Sequence, residues 1–302
     1  MVAATLLLHP QPAIDWWRLR AYVPSVEISR LADNASFTDE GRRLFYVYYP
    51  ELLDKPNFQG KCSASEETIV LGCYLSQEKI FVFDVEDERL DGVEQVTAAH
   101  EMLHVVYERL SDIERNSIDE LLNAHFKSLN DERLNKTIES YSARDPSIVS
   151  NELHSIIGTE FRDLPKELEN HYNKYFLDRL SVVTLAEAYE SEFTSREKEI
   201  ESYDSRLKSL SISIDDQETQ LEFLGSSLTQ EKSQLERLRG NTDAYNNAVP
   251  VFNQKIRDYN NLLENLKSDI AEYNNLIVER NKIAVQEQEL VEAIDSRKFE
   301  TE

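Results

Sequence analysis

Nowhere in the 302 residues is there a cluster of lysine and arginine that would mark a nucleic-acid surface. Acidic side chains outnumber basic ones 57 to 33, a formal charge of −24 spread over both halves rather than gathered in a tail. Such an excess keeps a chain soluble; attraction to a cationic partner is the alternative. Long apolar runs are also missing. The longest, residues 2–8, ends at His9 and Pro10 and is far short of the roughly 20 residues that cross a bilayer. No basic stretch precedes it, so it makes a poor signal peptide. It is either the stump of a membrane segment that begins before this chain or a frayed, partly docked N-terminus. In the first case Trp16, Trp17, Arg18 and Arg20 are interfacial anchors. Cysteine is scarce. Cys62 and Cys73 form neither a CxxC pair nor a zinc-finger spacing. Bonded to each other, they would staple neighbouring segments in an oxidising compartment. The alternative is two reduced, half-buried thiols.

Glycine and proline are absent between Val93 and Leu110, and the stretch they leave unbroken carries the chemistry. His100-Glu101-Met102-Leu103-His104 is a His-Glu-x-x-His motif. On a helix, residues four apart share a face, so both imidazoles can turn a nitrogen to one tetrahedral metal ion. Glu101 then sits where it can reach a metal-bound water. Val96, Ala99, Leu103, Val106 and Leu110 recur at helical spacing, so one face is core. Two histidines leave a catalytic zinc one protein ligand short. The candidates are Glu152, His154 and Glu160. Glu152 and Glu160 lie about 12 Å apart along a helix and cannot both bind.

Around the motif the pattern is α+β. Residues 26–49 read as mostly helical, with a start at Thr38-Asp39-Glu40, and residues 50–60 as a connection. Residues 68–74 and 79–85 are rich in β-formers and suggest a hairpin. Ser111 and Glu114 form a capping box that opens a helix to about Phe126. Residues 130–141 form another. Asp145 and Pro146 open the helix that carries Glu152, as N-cap and first residue. Pro165 opens one that ends near Arg179. His125 reads as solvated, and His171, Tyr172 and Tyr175 as core packing, with oxyanion stabilisation the alternative. From Ala186 the apolar residues recur every three and four positions up to Leu238, and again from Phe252 to Ile294, which is coiled-coil patterning. Gly240 and Asn241 stop the first arm, and Pro250 argues against an unbroken helix through the loop. The expected hairpin is antiparallel, with Leu224 near Leu266 and Leu210 near Arg280; self-association of the arms is the alternative.

The paired motifs resemble the gluzincin branch of zinc metallopeptidases, in which a Glu from a later helix, preceded by Asn and followed one turn on by a small residue, completes the site. Asn151-Glu152-Leu153-His154-Ser155 is similar, with Ser155 in the small position. The resemblance implies Zn2+ held by His100, His104 and Glu152, with Glu101 as general base. Ile156 stands where an acidic residue often supports the histidines. The expected organisation is an N-terminal segment over 1–24, a zincin-like, mostly helical catalytic domain with a small β element over 25–182, and an antiparallel coiled-coil hairpin over 183–302. The expected function is zinc-dependent peptide hydrolysis, with the arm positioning the enzyme or binding a protein partner. The competing reading is a cell-envelope scaffold whose zinc site is structural or inactive. The expected location is extracytoplasmic or at the cell surface, with membrane association as an option and the cytoplasm as the alternative.

Overall fold

The structure is a computed structural model that describes residues 11–62, 69–76 and 78–297. Residues 2–8 and His9 lie outside them. The chain divides into two compact units, Met1–Phe193 with Leu290–Glu302, and Thr194–Glu289.

The first unit opens with a helix, α1 (Gln11–Leu19), where the sequence shows little regularity. Its anchor is Asp15, which is buried and accepts from the guanidinium groups of Arg43 and Arg109. Residues 26–49 form two helices rather than one span: α2 (Val26–Asn34), capped by Ser25, and α3 (Asp39–Tyr46), capped by Thr38. Ser36 breaks them at φ +57, a left-handed conformation that ends a helix. The break lets Phe37 bury itself between Phe45 and Phe176.

The expected connection at 50–60 holds a strand, β1 (Glu51–Leu53), and one helical turn, α4 (Lys55–Phe58). The expected hairpin is present as β2 (Gly72–Leu75) and β3 (Lys79–Phe83). The sheet runs β1-β3-β2, with β1 parallel and β2 antiparallel to the central β3, so β2 is an edge among the described strands. A three-residue strand after Pro50 is too short for its alternation to show in sequence. The Cys62–Cys73 disulfide ties the chain after α4 to β2.

Against the sheet lies α5 (Val93–Glu108), followed by α6 (Asp112–Ser128), α7 (Glu132–Arg144) and α8 (Val149–Glu160). The Ser111–Glu114 capping box at the head of α6 is formed. Asp145 does not cap α8; it accepts from Ser147 in a preceding turn, and the helix starts at Val149. Helix α9 (Lys166–Tyr172) ends before the expected Arg179, because Phe176 is pulled into the pairing with Phe37. The long helix α10 (Arg179–Arg237) begins there, and its first turns give Val182, Val183 and Ala186 to the core of this unit. The boundary expected at residue 182 thus falls inside a helix.

The second unit consists of α10 from Thr194 to its end and most of α11 (Thr242–Ile294). They run antiparallel, with Asp204 paired to Arg280 at 2.9 Å, Arg206 to Glu272 at 2.7 Å, and Glu231 to Lys255. The register differs from the expectation: Arg280 meets Asp204, not Leu210. The cause is Pro250, which lies inside α11 rather than in a loop. The turn therefore shrinks to a 3-10 segment, Leu238–Gly240, and Asn241. Leu210, Leu221 and Leu266 are buried in the seam. The end of α11 belongs to the first unit, where Leu290 packs with Leu90 and Val93 and Ser296 donates to the Val70 carbonyl at 2.6 Å. No described helix is long and apolar enough to cross a membrane.

Candidate metal centre

Helix α5 is built to be held still. Ala98, Ala99, Met102, Leu103 and Val105 are fully buried, which leaves one stripe facing a cleft of about 400 Å3. On that stripe His100 and His104 stand one turn apart, with ring centroids 4.7 Å apart and edge to face. Strand β2 forms one wall of the cleft and α8 another, while Tyr141 and Arg144 reach it from α7.

Close packing on both sides sets the distances. A Cβ on Gly72 would stand 2.5 Å from Thr97 Cγ2 and 2.9 Å from the Phe81 carbonyl, so only glycine lets β2 settle on α5. A Cβ on Gly158 would stand 2.5 Å from Leu103 Cδ1 and 2.7 Å from the Tyr172 ring. Gly158 thus joins the fully buried Ser155 as a small residue where α8 meets α5.

That approach delivers Glu152. Its Oε2 lies 3.6 Å from His100 Nε2 and 3.9 Å from His104 Nε2. Donors bound at about 2.0–2.1 Å to a tetrahedral ion are roughly 3.4 Å apart. Glu152 Oε2 is buried and accepts no hydrogen bond among the described residues, so its lone pairs are open toward the two imidazoles. Burial raises the Glu152 carboxyl, but the His100 and His104 imidazoles and the Tyr141 hydroxyl outweigh it and hold the group below its usual range. The donor set of two imidazoles and one carboxylate fits zinc.

His104 is oriented from behind. Its Nδ1 lies 3.0 Å from Asn151 Oδ1 and 3.2 Å from Ser155 Oγ. A proton on Nδ1, donated to Asn151, leaves the Nε2 lone pair facing Glu152. Support for this histidine thus comes from Asn151 and Ser155, while Ile156, the position where an acid was sought, is in the core. Asn151 and Tyr141 are the site residues that sequence reasoning gave no role. Asn151 carries a signal in its place beside Glu152; Tyr141 carries none, because only the fold brings α7 to the cleft.

Glu101 also closes on the histidines: the group His100, Glu101 and His104 presents donor atoms all within 4.8 Å of one another. Its partners set it apart from Glu152. It is 5% exposed, lies against Gly72, and accepts the backbone N–H of Tyr74 on β2. Burial pushes its carboxyl up to about 7, against the pull of His104 and with the negative charge of Glu152 adding to the rise.

The remaining candidates are placed elsewhere. Glu160 lines the far end of the cleft and is engaged by Arg133 at 2.7 Å. His154 faces away from the cleft, fully buried, its Nε2 2.9 Å from Nε2 of His171. Burial lowers both imidazoles, His171 to about 4, so the pair is neutral and one ring donates to the other. Tyr172 is in the core and donates to the His154 carbonyl. His125, expected in solvent, is half-buried, and burial lowers it too. A larger cavity of about 700 Å3 lies beside α1, but its Asp15, Arg43 and Arg109 are already paired to one another. Compared with known proteins, the chain matches no family model, no curated protein and no solved structure.

Proposed function

We propose that the protein is a zinc-dependent peptidase of the gluzincin type, with His100, His104 and Glu152 as metal ligands and Glu101 as general base. The observation that carries the reading is the buried Glu152 oxygen that accepts no hydrogen bond among the described residues and faces two histidine nitrogens across α5 and α8. A zinc ion held there supplies a Lewis acid and a water acidic enough to attack near neutral pH.

The chain's own groups do the rest. Glu101, pinned by the Tyr74 N–H, accepts a proton from the attacking water and passes it to the departing amine. The Tyr141 phenol, pushed well above its ordinary range by burial and by the charges of Glu152 and Glu101, stays protonated, and its hydroxyl donates to Glu152 and steadies that ligand carboxylate. Strand β2 lines the cleft and, among the described strands, is paired on one side only; apart from the Tyr74 N–H held by Glu101, such an edge can pair with an extended peptide by backbone hydrogen bonding. This favours a peptide over a compact ester or amide. The Cys62–Cys73 bond, which stiffens this wall, supports an oxidising compartment.

The test is zinc content together with cleavage of a peptide library. Wild type should bind one zinc and cut. Glu101→Gln should keep the zinc and lose cleavage by a factor of at least about 100. His104→Ala should lose the zinc. A zinc-loaded wild type that leaves the library intact, or a Glu101→Gln protein that cuts as fast as wild type, would overturn the assignment.

A further inference from the structure

A surface helix ordinarily turns its apolar stripe inward and its charges to water. Helix α1 does the reverse. Its one acidic residue, Asp15, is 3% exposed and clamped by Arg43 and Arg109. Leu19, four residues on, packs on the core. Arg18 turns back over the rings of Tyr48 and Tyr49, at 5.2 and 5.4 Å, and so is not an outward anchor. At 3.6 residues per turn the outward arc is left to Ala13, Ile14, Trp16, Trp17 and Arg20. Trp16 is 69% exposed, Trp17 58% and Ile14 44%. Arg20 lies over the Trp17 ring at 5.3 Å. Adjoining tryptophans with a flanking cation are characteristic of the water–lipid boundary, where a ring can be apolar on one side and wet on the other.

We propose that this face of α1 rests on a lipid bilayer surface, with Trp16 and Trp17 seated at headgroup depth. Two observations favour lipid over a second copy of the chain. The ten residues that lead into α1 in the sequence include Val2, Ala3, Ala4, Leu6, Leu7 and Leu8, an apolar stretch joined directly to the helix that bears this face. Two copies, each with a formal charge of −24, repel one another. The same charge disfavours anionic lipid and leaves the apolar arc as the driving contact. The binding should therefore reach zwitterionic vesicles and survive added salt. It is independent of the metal centre.

Trp16 and Trp17 are the only tryptophans in the chain, so indole emission reports on this face alone. With the full chain and phosphatidylcholine vesicles, the emission should shift to the blue, and the protein should sediment with the vesicles at low and high salt. Trp16→Ser/Trp17→Ser should stay in the supernatant while retaining the helical content of the wild type. The proposal fails if wild-type emission is unchanged and the protein stays in solution. It fails equally if the double variant still sediments, or if binding needs phosphatidylglycerol and vanishes with salt. A blue shift that grows with protein concentration without vesicles would assign the face to self-association instead.

Discussion

A carboxyl taken out of water resists ionisation, and Glu101 shows the effect plainly. Its proton affinity in the folded, metal-free protein corresponds to about 7, against an ordinary value of 4.5. The folded state thus binds this proton more tightly than the unfolded state does, so the group's contribution to stability falls as pH rises from about 4.5 to about 7. Above that range the buried charge costs about 3 kcal/mol, at roughly 1.4 kcal/mol for each pH unit. Glutamine keeps an oxygen for the Tyr74 N–H and carries no charge. Metal-free Glu101→Gln should therefore match wild type near pH 4 and exceed it at pH 8 by up to about 3 kcal/mol, measured by urea unfolding in chelator. Zinc should narrow the gap, because a nearby cation favours the carboxylate. Equal stability at pH 8 without metal would mean that Glu101 is better solvated than its 5% exposure implies.

At the scale of elements, the site depends on how close two helices and a strand can come. Gly158 is where α8 touches α5. Alanine there gains about 1 kcal/mol of helix propensity. It also drives a methyl into Leu103 Cδ1, which can move, and into the Tyr172 ring, which is pinned by its bond to the His154 carbonyl. Overpacking of this kind costs about 1–3 kcal/mol and is relieved by α8 moving outward. Gly158→Ala should be destabilised or neutral in unfolding, yet weaken zinc binding at least tenfold, because Glu152 moves away from both histidines. Unchanged zinc affinity in a titration would show that α8 has slack. This dependence also explains what was legible in the sequence. His100, Glu101 and His104 are local: four residues on one helix fix their spacing, and unbroken helical patterning revealed it. Glu152 needed a second helix and was reached by resemblance. Asn151 behind His104 and Tyr141 beside Glu152 follow only from the packing of α7 and α8. The helix α1 was missed because Asp15 faces inward and two tryptophans face outward, an order that periodicity reads as no order.

For the molecule as a whole, the hairpin of α10 and α11 shows how one proline alters a register along two long helices. A proline lacks the N–H that would bond four residues back, and a helix that contains it gives up about 3 kcal/mol at that point. Pro250 nevertheless lies within α11, eight residues after its start, and the cost is offset by a seam that buries Leu210, Leu221 and Leu266. The surface ion pairs along the arms are exposed and contribute little stability, but they distinguish registers. With the turn at Leu238–Gly240 and Asn241, Asp204 meets Arg280, a charge matched by its opposite. With a turn spread over residues 240–250, Asp204 would meet Gln286, and Arg280 would fall on the apolar Leu210. The two registers differ by six residues, about 9 Å along the axis. Spin labels at 204 and 280 should therefore lie closer together than labels at 204 and 286, measured by pulsed electron resonance on protein diluted with unlabelled chain. The opposite order would restore the longer turn and exclude Pro250 from the helix. Distances of several tens of ångströms for both pairs would show that the arms pair between molecules.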